Sequence, residues 1–265
     1  MYDFHTHSHF SADSTSSMHI MAQKGKSIGL KGICFTDHID LDYPSSEINF
    51  DFSYNDYINE LNSIRASFSE DFEIYTGLEL GMQPHISAMN EALLKDKSFD
   101  FIIGSIHCVN KKDLYDGSFL EGITNDEGIM NYFNDMLHCI NSFMDFDVLG
   151  HLDGIRRYLK NTDDSFSYDI YKGLIHTVLS KLVNSNKGIE VNTSGLRYGL
   201  SAVHPLPDIL KLYRFLGGEI ITLGSDSHSP DTLGYGFKSA MTILSDMGFK
   251  YYTIFKDRKP LFIKI

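Results

Sequence analysis

Long apolar runs are missing from this 265-residue chain, and no stretch stays apolar for long enough to span a bilayer. Cysteine is scarce. Cys34, Cys108 and Cys139 stand far apart, a spacing that fits neither a disulfide framework nor a zinc knuckle and reads as reduced, buried thiols. Basic residues are outnumbered, 23 Lys and Arg against 35 Asp and Glu, for a formal charge of −12. That argues against nucleic acid as a partner, since such a surface needs a basic stripe to displace counterions. A small anionic substrate stays open, because bound divalent cations can reverse the local field inside an acidic protein. The opening Met1-Tyr2-Asp3-Phe4-His5 has neither a basic region nor an apolar stretch, so no signal peptide is expected and the chain is read as cytoplasmic. No Pro/Ser linker or charge block divides it, and one domain over residues 1–265 is expected.

What is present is a repeating pattern. Short runs rich in Ile, Val, Phe and Tyr occur at 2–7, 32–36, 73–80, 101–106, 148–151, 188–192 and 219–224, and read as buried parallel strands. Helical spacing follows each of them, near 17–29, 54–70, 84–97, 125–143, 167–186, 206–217 and 238–247. In 167–186 the apolar face is Ile170, Tyr171, Leu174, Ile175, Val178, Leu179, Leu182 and Val183. Seven strand–helix units imply one closed or nearly closed (β/α) barrel. The segments 251–255 and 261–265 are expected to add a terminal strand or hairpin. A doubly wound open sheet would need a Gly-rich phosphate turn after the first strand, where the chain instead reads His5-Thr6-His7-Ser8-His9.

The strand ends carry the chemistry. They read His5-Thr6-His7, Thr36-Asp37-His38, Gly77-Leu78-Glu79, Gly104-Ser105-Ile106-His107, Gly150-His151-Leu152-Asp153, Glu190-Val191-Asn192 and Gly224-Ser225-Asp226-Ser227-His228. In a barrel these ends converge on one mouth. His5 and His7, two apart on a strand, project from one face and can bind one ion, and Asp226 and His228 repeat that spacing. Imidazole with carboxylate suits zinc, iron or manganese. The eight candidates His5, His7, His38, Glu79, His107, His151, Asp226 and His228 exceed one site and point to two or three ions, with Glu79 placed to bridge two. His19, His85, His138 and His176 fall on helices or connections and read as ordinary polar residues, and Asp40, Asp42 and Asp153 as solvated or supporting carboxylates.

These residues, in this order, resemble the PHP family of polymerase-associated and histidinol-phosphatase domains. The resemblance rests on Asp3-Phe4-His5-Thr6-His7, Phe35-Thr36-Asp37-His38, Gly77-Leu78-Glu79, Ile103-Gly104-Ser105-Ile106-His107, Gly150-His151-Leu152-Asp153 and Gly224-Ser225-Asp226-Ser227-His228. It spans essentially the whole chain. Phe10-Ser11-Ala12-Asp13-Ser14 and Val191-Asn192-Thr193-Ser194-Gly195-Leu196-Arg197 are similar to its stand-alone histidinol-phosphatases. The resemblance implies a distorted, TIM-like (β/α)7 barrel and a trinuclear metal site. Carried over by position, His5, His7, Glu79 and Asp226 would hold a first ion, Glu79, His107 and His151 a second, and Asp13, His38 and His228 a third. Asp13 departs from relatives that have histidine there.

The implied reaction is hydrolysis of L-histidinol phosphate to L-histidinol and phosphate, a step of histidine biosynthesis. A hydroxide held between two ions, its pKa lowered from about 16 towards 7, is expected to attack phosphorus in line. No Cys-x5-Arg or Asp-x-Asp nucleophile motif stands out, which favours direct attack by water. Asp226, His228, Arg197 and His9 form the expected catalytic set, with Arg197 as the bidentate phosphate clamp and His9 as a leaving-group acid. Arg156 and Arg157 are second choices for the phosphate, and His9, Glu121 and His204 could meet the imidazole and amine. Two other readings stand beside this one. One is a phosphoesterase for nucleotides or other small phosphomonoesters, and the other a non-catalytic metal-binding accessory module.

Overall fold

The computed structural model describes residues 1–45, 47–68, 71–160 and 166–265. Seven parallel strands are β1 (Tyr2–Thr6), β2 (Gly32–Phe35), β3 (Glu73–Gly81), β4 (Phe101–Ser105), β5 (Val148–Leu149), β6 (Gly188–Asn192) and β7 (Ile221–Gly224). They neighbour one another in chain order. A two-residue strand, His38–Ile39, also pairs with β3. β1 meets β7 through Asp226 N to His5 O at 2.9 Å and His7 N to Ser227 O at 2.8 Å, which draws the ring together. The chain is thus a nearly closed parallel barrel. Its distortion comes from the register shift in β1 between Asp3 and Thr6 and from the shortness of β5. The run expected to reach 151 stops at Leu149, because His151 already belongs to a turn in which Gly154 N returns to His151 O.

Among the described residues, seven helices of eight residues or more lie outside the ring: α1 (Met18–Ser27), α2 (Tyr54–Ser67), α3 (Ser87–Leu94), α4 (Asn125–Ser142), α5 (Tyr168–Asn184), α6 (Pro207–Phe215) and α7 (Phe237–Asp246). Ser17 caps α1 by accepting from Ile20 N, and Thr124 with Glu127 forms a capping box on α4. Residues 69–70, to which the sequence pattern extended α2, lie outside the described residues. In α5 the buried stripe is Tyr171, Ile175, Val178, Leu179 and Leu182. Ile170, expected on that face, is 67% exposed, since it lies about a third of a turn from the stripe's centre. No helix among the described residues is long and apolar enough to cross a membrane.

The chain ends in an antiparallel hairpin, β8 (Tyr251–Lys256) and β9 (Lys259–Lys264), turning at Asp257 and Arg258, both with positive φ. Arg258 Nε donates to Asp147 Oδ2 at 2.6 Å, Arg258 N to Asp100 O at 3.0 Å, and Ile221 N to Thr253 Oγ1 at 3.2 Å. Asp100, Asp147 and Ile221 all stand where strands begin. The hairpin therefore covers the N-terminal mouth, and the C-terminal mouth is left for chemistry.

Candidate active site

At the C-terminal mouth everything turns on Glu79, buried on β3. Its Oε2 lies 2.9 Å from His5 Nε2, 3.2 Å from His38 Nδ1 and 3.4 Å from His7 Nε2. Its Oε1 meets His151 Nε2 at 3.0 Å and His107 Nε2 at 3.2 Å, and accepts from Ser105 Oγ at 2.7 Å. Five imidazoles from four strands and strand ends thus surround one carboxylate. Asp226 Oδ1 approaches His7 Nε2 at 3.6 Å and His5 Nε2 at 3.8 Å. Asp13 Oδ2 reaches His228 Nε2 at 3.1 Å and His38 Nε2 at 3.8 Å from the solvent side. The nine residues expected as ligands are brought to one place.

Local sequence explains the approach. Asp3 accepts from Ser225 N at 2.9 Å, from Ser225 Oγ at 2.5 Å and from Gly234 N at 2.9 Å, which pins the loop carrying Asp226 to the strand carrying His5. Gly224 has no room for a side chain, because a Cβ there would lie 2.0 Å from Glu190 Oε1 and 2.5 Å from His5 Cβ. Gly81 likewise admits Asp40, whose Oδ1 would be 2.0 Å from a Cβ.

Of two acidic partners, Glu190 escaped the sequence reading, and Asp40 takes the supporting role that was one of its two readings there. Glu190 Oε1 lies 2.6 Å from His5 Nδ1, and its Oε2 accepts from His151 N at 2.9 Å. Asp40 Oδ1 lies 2.7 Å from His107 Nδ1, and Asp40 is buried rather than solvated. Each holds one ring nitrogen and so aims the other at Glu79, the usual support for a metal-binding imidazole. The signal was there. Glu190 is the one charged residue in the otherwise apolar Gly188–Asn192 run, and Asp40 follows His38 at strand spacing.

The electrostatics suit divalent cations. Burial alone would raise the Glu79 carboxyl, but His5, His38 and His107 hold it well below the usual carboxylate range. Burial pulls the His38 imidazole down, yet Glu79, Asp40 and Asp13 push it up to about 9. His7 goes the other way, held well below its ordinary value by burial and by His228 and His38. Buried His7 Nε2, His38 Nδ1 and Asp40 Oδ2 have no hydrogen-bond partner among the described residues. Three sets, His5–His7–Glu79, His38–Glu79–His107 and His7–His38–His228, each gather ligand atoms within 4.8 Å of one another. Imidazole nitrogens and carboxylate oxygens converging with buried atoms unpartnered fit a metal cluster, in which divalent cations would take the place of the protons that Glu79 and Asp40 favour on the rings.

A cavity of about 480 Å³ opens over the cluster, walled by Tyr43, Phe50, Asp113, Tyr115, Arg157, Tyr158, Arg197 and Tyr198. Several expectations about it change. Arg197 lines the cavity, and Nη1 donates to Ser225 O at 2.6 Å and Nη2 to Asp226 O at 2.8 Å, so backbone holds two of its five N–H donors. Arg156 is buried away from the cavity, bonded to Asp153 Oδ2 and Val203 O. Arg157 is the second guanidinium that lines it. It lies 3.7 Å above the Tyr198 ring and 3.5 Å from Asp226 Oδ2, and its buried Nε has no partner among the described residues. His9 does not line the cavity, since its ring packs on Phe10 and approaches Glu60 at 3.4 Å. His204 is fully buried, with Nδ1 2.6 Å from Asp153 Oδ1, and Glu121 pairs with Lys112 at the surface. His19, His85, His138 and His176 are exposed, as read from the sequence.

Known proteins are similar to this chain over most of their length. A protein of Clostridium acetobutylicum named "Probable histidinol-phosphatase" is 34% identical over 94% of this chain and 95% of its own. The histidinol-phosphatase of Lactococcus lactis is 31% identical over 97% and 95%. A crystal structure of histidinol phosphate phosphatase from Lactococcus lactis, complexed with zinc, L-histidinol and phosphate, covers 98% of both chains with TM-score 0.90 and 30% identity. The family model described as PHP domain matches residues 3–194, from β1 to just beyond β6. A match of that extent, with the strand-end histidines from His5 to His151 inside it, means that the chain belongs to the PHP domain family.

Proposed function

We propose that this protein is a metal-dependent histidinol-phosphatase that hydrolyses L-histidinol phosphate to L-histidinol and inorganic phosphate, and so serves histidine biosynthesis. The observation that carries the reading is the likeness, along 98% of the chain, to a phosphatase structure that holds zinc, L-histidinol and phosphate. The buried histidine–carboxylate cluster beneath a cavity lined by Arg157 and Arg197 supports it independently.

Two to three divalent ions, zinc, iron or manganese, are the proposed cofactors. His5, His7, Glu79 and Asp226 would hold one, Glu79, His107 and His151 another, and Asp13, His38 and His228 a third. Such ions supply charge that neutralises phosphate oxygens and lowers the pKa of water for attack on phosphorus. The chain's own residues do the rest. Glu190 and Asp40 fix the rings of His5 and His107, so their Nε2 atoms face Glu79 without rotational cost. Arg197 secures the loop that presents Asp226. Arg157, already stacked on Tyr198, offers the planar fork that suits phosphate. The three cysteines are buried and unbridged, which supports a cytoplasmic location.

Steady-state kinetics on one metal-loaded preparation tests the reading. L-Histidinol phosphate should exceed nucleoside monophosphates and p-nitrophenyl phosphate in kcat/KM by two orders of magnitude or more. Comparable values across the panel would instead assign a general phosphomonoesterase.

A further inference from the structure

The cavity is electrically two-sided. Arg157 and the histidine–carboxylate cluster form one side. The other is a short hairpin, Cys108–Val109 paired with Lys112–Asp113, which leaves β4 right after His107 and returns through Leu114 N to His107 O at 3.0 Å. Asp113, buried at its end, faces the cavity. Its Oδ1 accepts from Tyr115 N at 2.8 Å. Burial, and then the neighbouring Asp113 carboxylate, push the Tyr43 phenol well up.

No cationic side chain pairs with Asp113 among the described residues. The basic neighbours are engaged elsewhere: Lys111 lies 3.8 Å from Asp42, Lys112 3.3 Å from Glu121, and Arg157 3.5 Å from Asp226. A carboxylate held out of water without a positive partner is costly, and native proteins keep one where a ligand supplies the missing charge. The walls beside it point the same way. Tyr43, Tyr115, Tyr158 and Phe50 line the same cavity, and aromatic faces attract cations.

We propose that Asp113 is a specificity-determining residue that receives the cationic organic part of the substrate, an ammonium or imidazolium group carried on a phosphate monoester. This rests on the reading of the site as a phosphomonoesterase, and it deepens that reading by saying why a cationic ester is preferred. Asp113 acts on selection, not on phosphorus, so its removal must change the ratio between substrates.

The test uses Asp113→Asn, which keeps the shape and an oxygen for Tyr115 N, in the metal-loaded full-length protein. Three esters are compared: L-histidinol phosphate, 3-aminopropyl phosphate and p-nitrophenyl phosphate. The ratio of kcat/KM for each cationic ester to that for p-nitrophenyl phosphate should fall by about 30-fold or more, the loss typical of removing one partner of a buried charge pair. Asp113→Glu should recover part of the ratio. A ratio unaltered by Asp113→Asn, or a wild-type protein with no preference for either cationic ester, would overturn the proposal. Wild-type preference for 3-aminopropyl phosphate with no turnover of L-histidinol phosphate, lost in Asp113→Asn, would uphold Asp113 and discard the histidinol-phosphatase reading.

Discussion

Glu79→Gln should abolish metal retention and activity together. Glutamine keeps the volume and can still accept from Ser105 Oγ, but it removes the negative charge that five imidazoles share within 2.9–3.4 Å. Without that charge His5, His38 and His107 lose a main source of the field that attracts cations to this mouth. Elemental analysis should show less than one equivalent of metal, and kcat/KM should fall by two orders of magnitude or more. A variant with wild-type metal content and near wild-type turnover would remove Glu79 from the centre of the site.

Arg157→Ala should separate phosphate recognition from metal binding. A guanidinium facing an otherwise acidic cavity, stacked on Tyr198 with its Nε unpaired, is set to bind oxyanion. Its loss should lower kcat/KM by about 30- to 1000-fold, roughly 2–4 kcal/mol, and weaken inhibition by inorganic phosphate, with metal content retained. Arg157→Lys should recover only part, since an ammonium lacks the planar fork. Arg197→Ala is the contrast. Its two bonds to Ser225 O and Asp226 O hold a loop in which Asp226 adopts φ +54°, so that variant should lose metal affinity as well as rate. If Arg197→Ala spares the metal and Arg157→Ala releases it, the two roles are reversed.

Why the sequence put Arg197 first, when the structure brings both Arg157 and Arg197 to the cavity, is a matter of turns. Strand ends are legible because period-2 alternation and barrel convergence place His5, His7, Glu79, His107 and His151 without knowledge of any loop. Walls are not. Arg156 and Arg157 are adjacent in the short helical turn Gly154–Tyr158, which sends one to Asp153 and the other over the cavity. Arg197 ends a four-residue helix, Ser194–Arg197, that brings its fork back onto the β7 loop. His204 lies at a strand-like bridge to Asn192 and is turned inward to Asp153, while His9, near the motif of β1, points to Glu60. None of these directions follows from spacing, since each depends on backbone angles in an irregular segment. The same alternation that revealed the ligands made the outer supports legible: Asp40 was read as solvated or supporting, and Glu190, inside its strand, was given no role.

The most direct measurement is a zinc titration of chelator-treated protein, following phosphate release from L-histidinol phosphate at each addition. The account predicts no turnover before zinc is added and a rise that saturates between two and three equivalents. Full activity in the chelator-treated protein, or saturation below one equivalent, would contradict it.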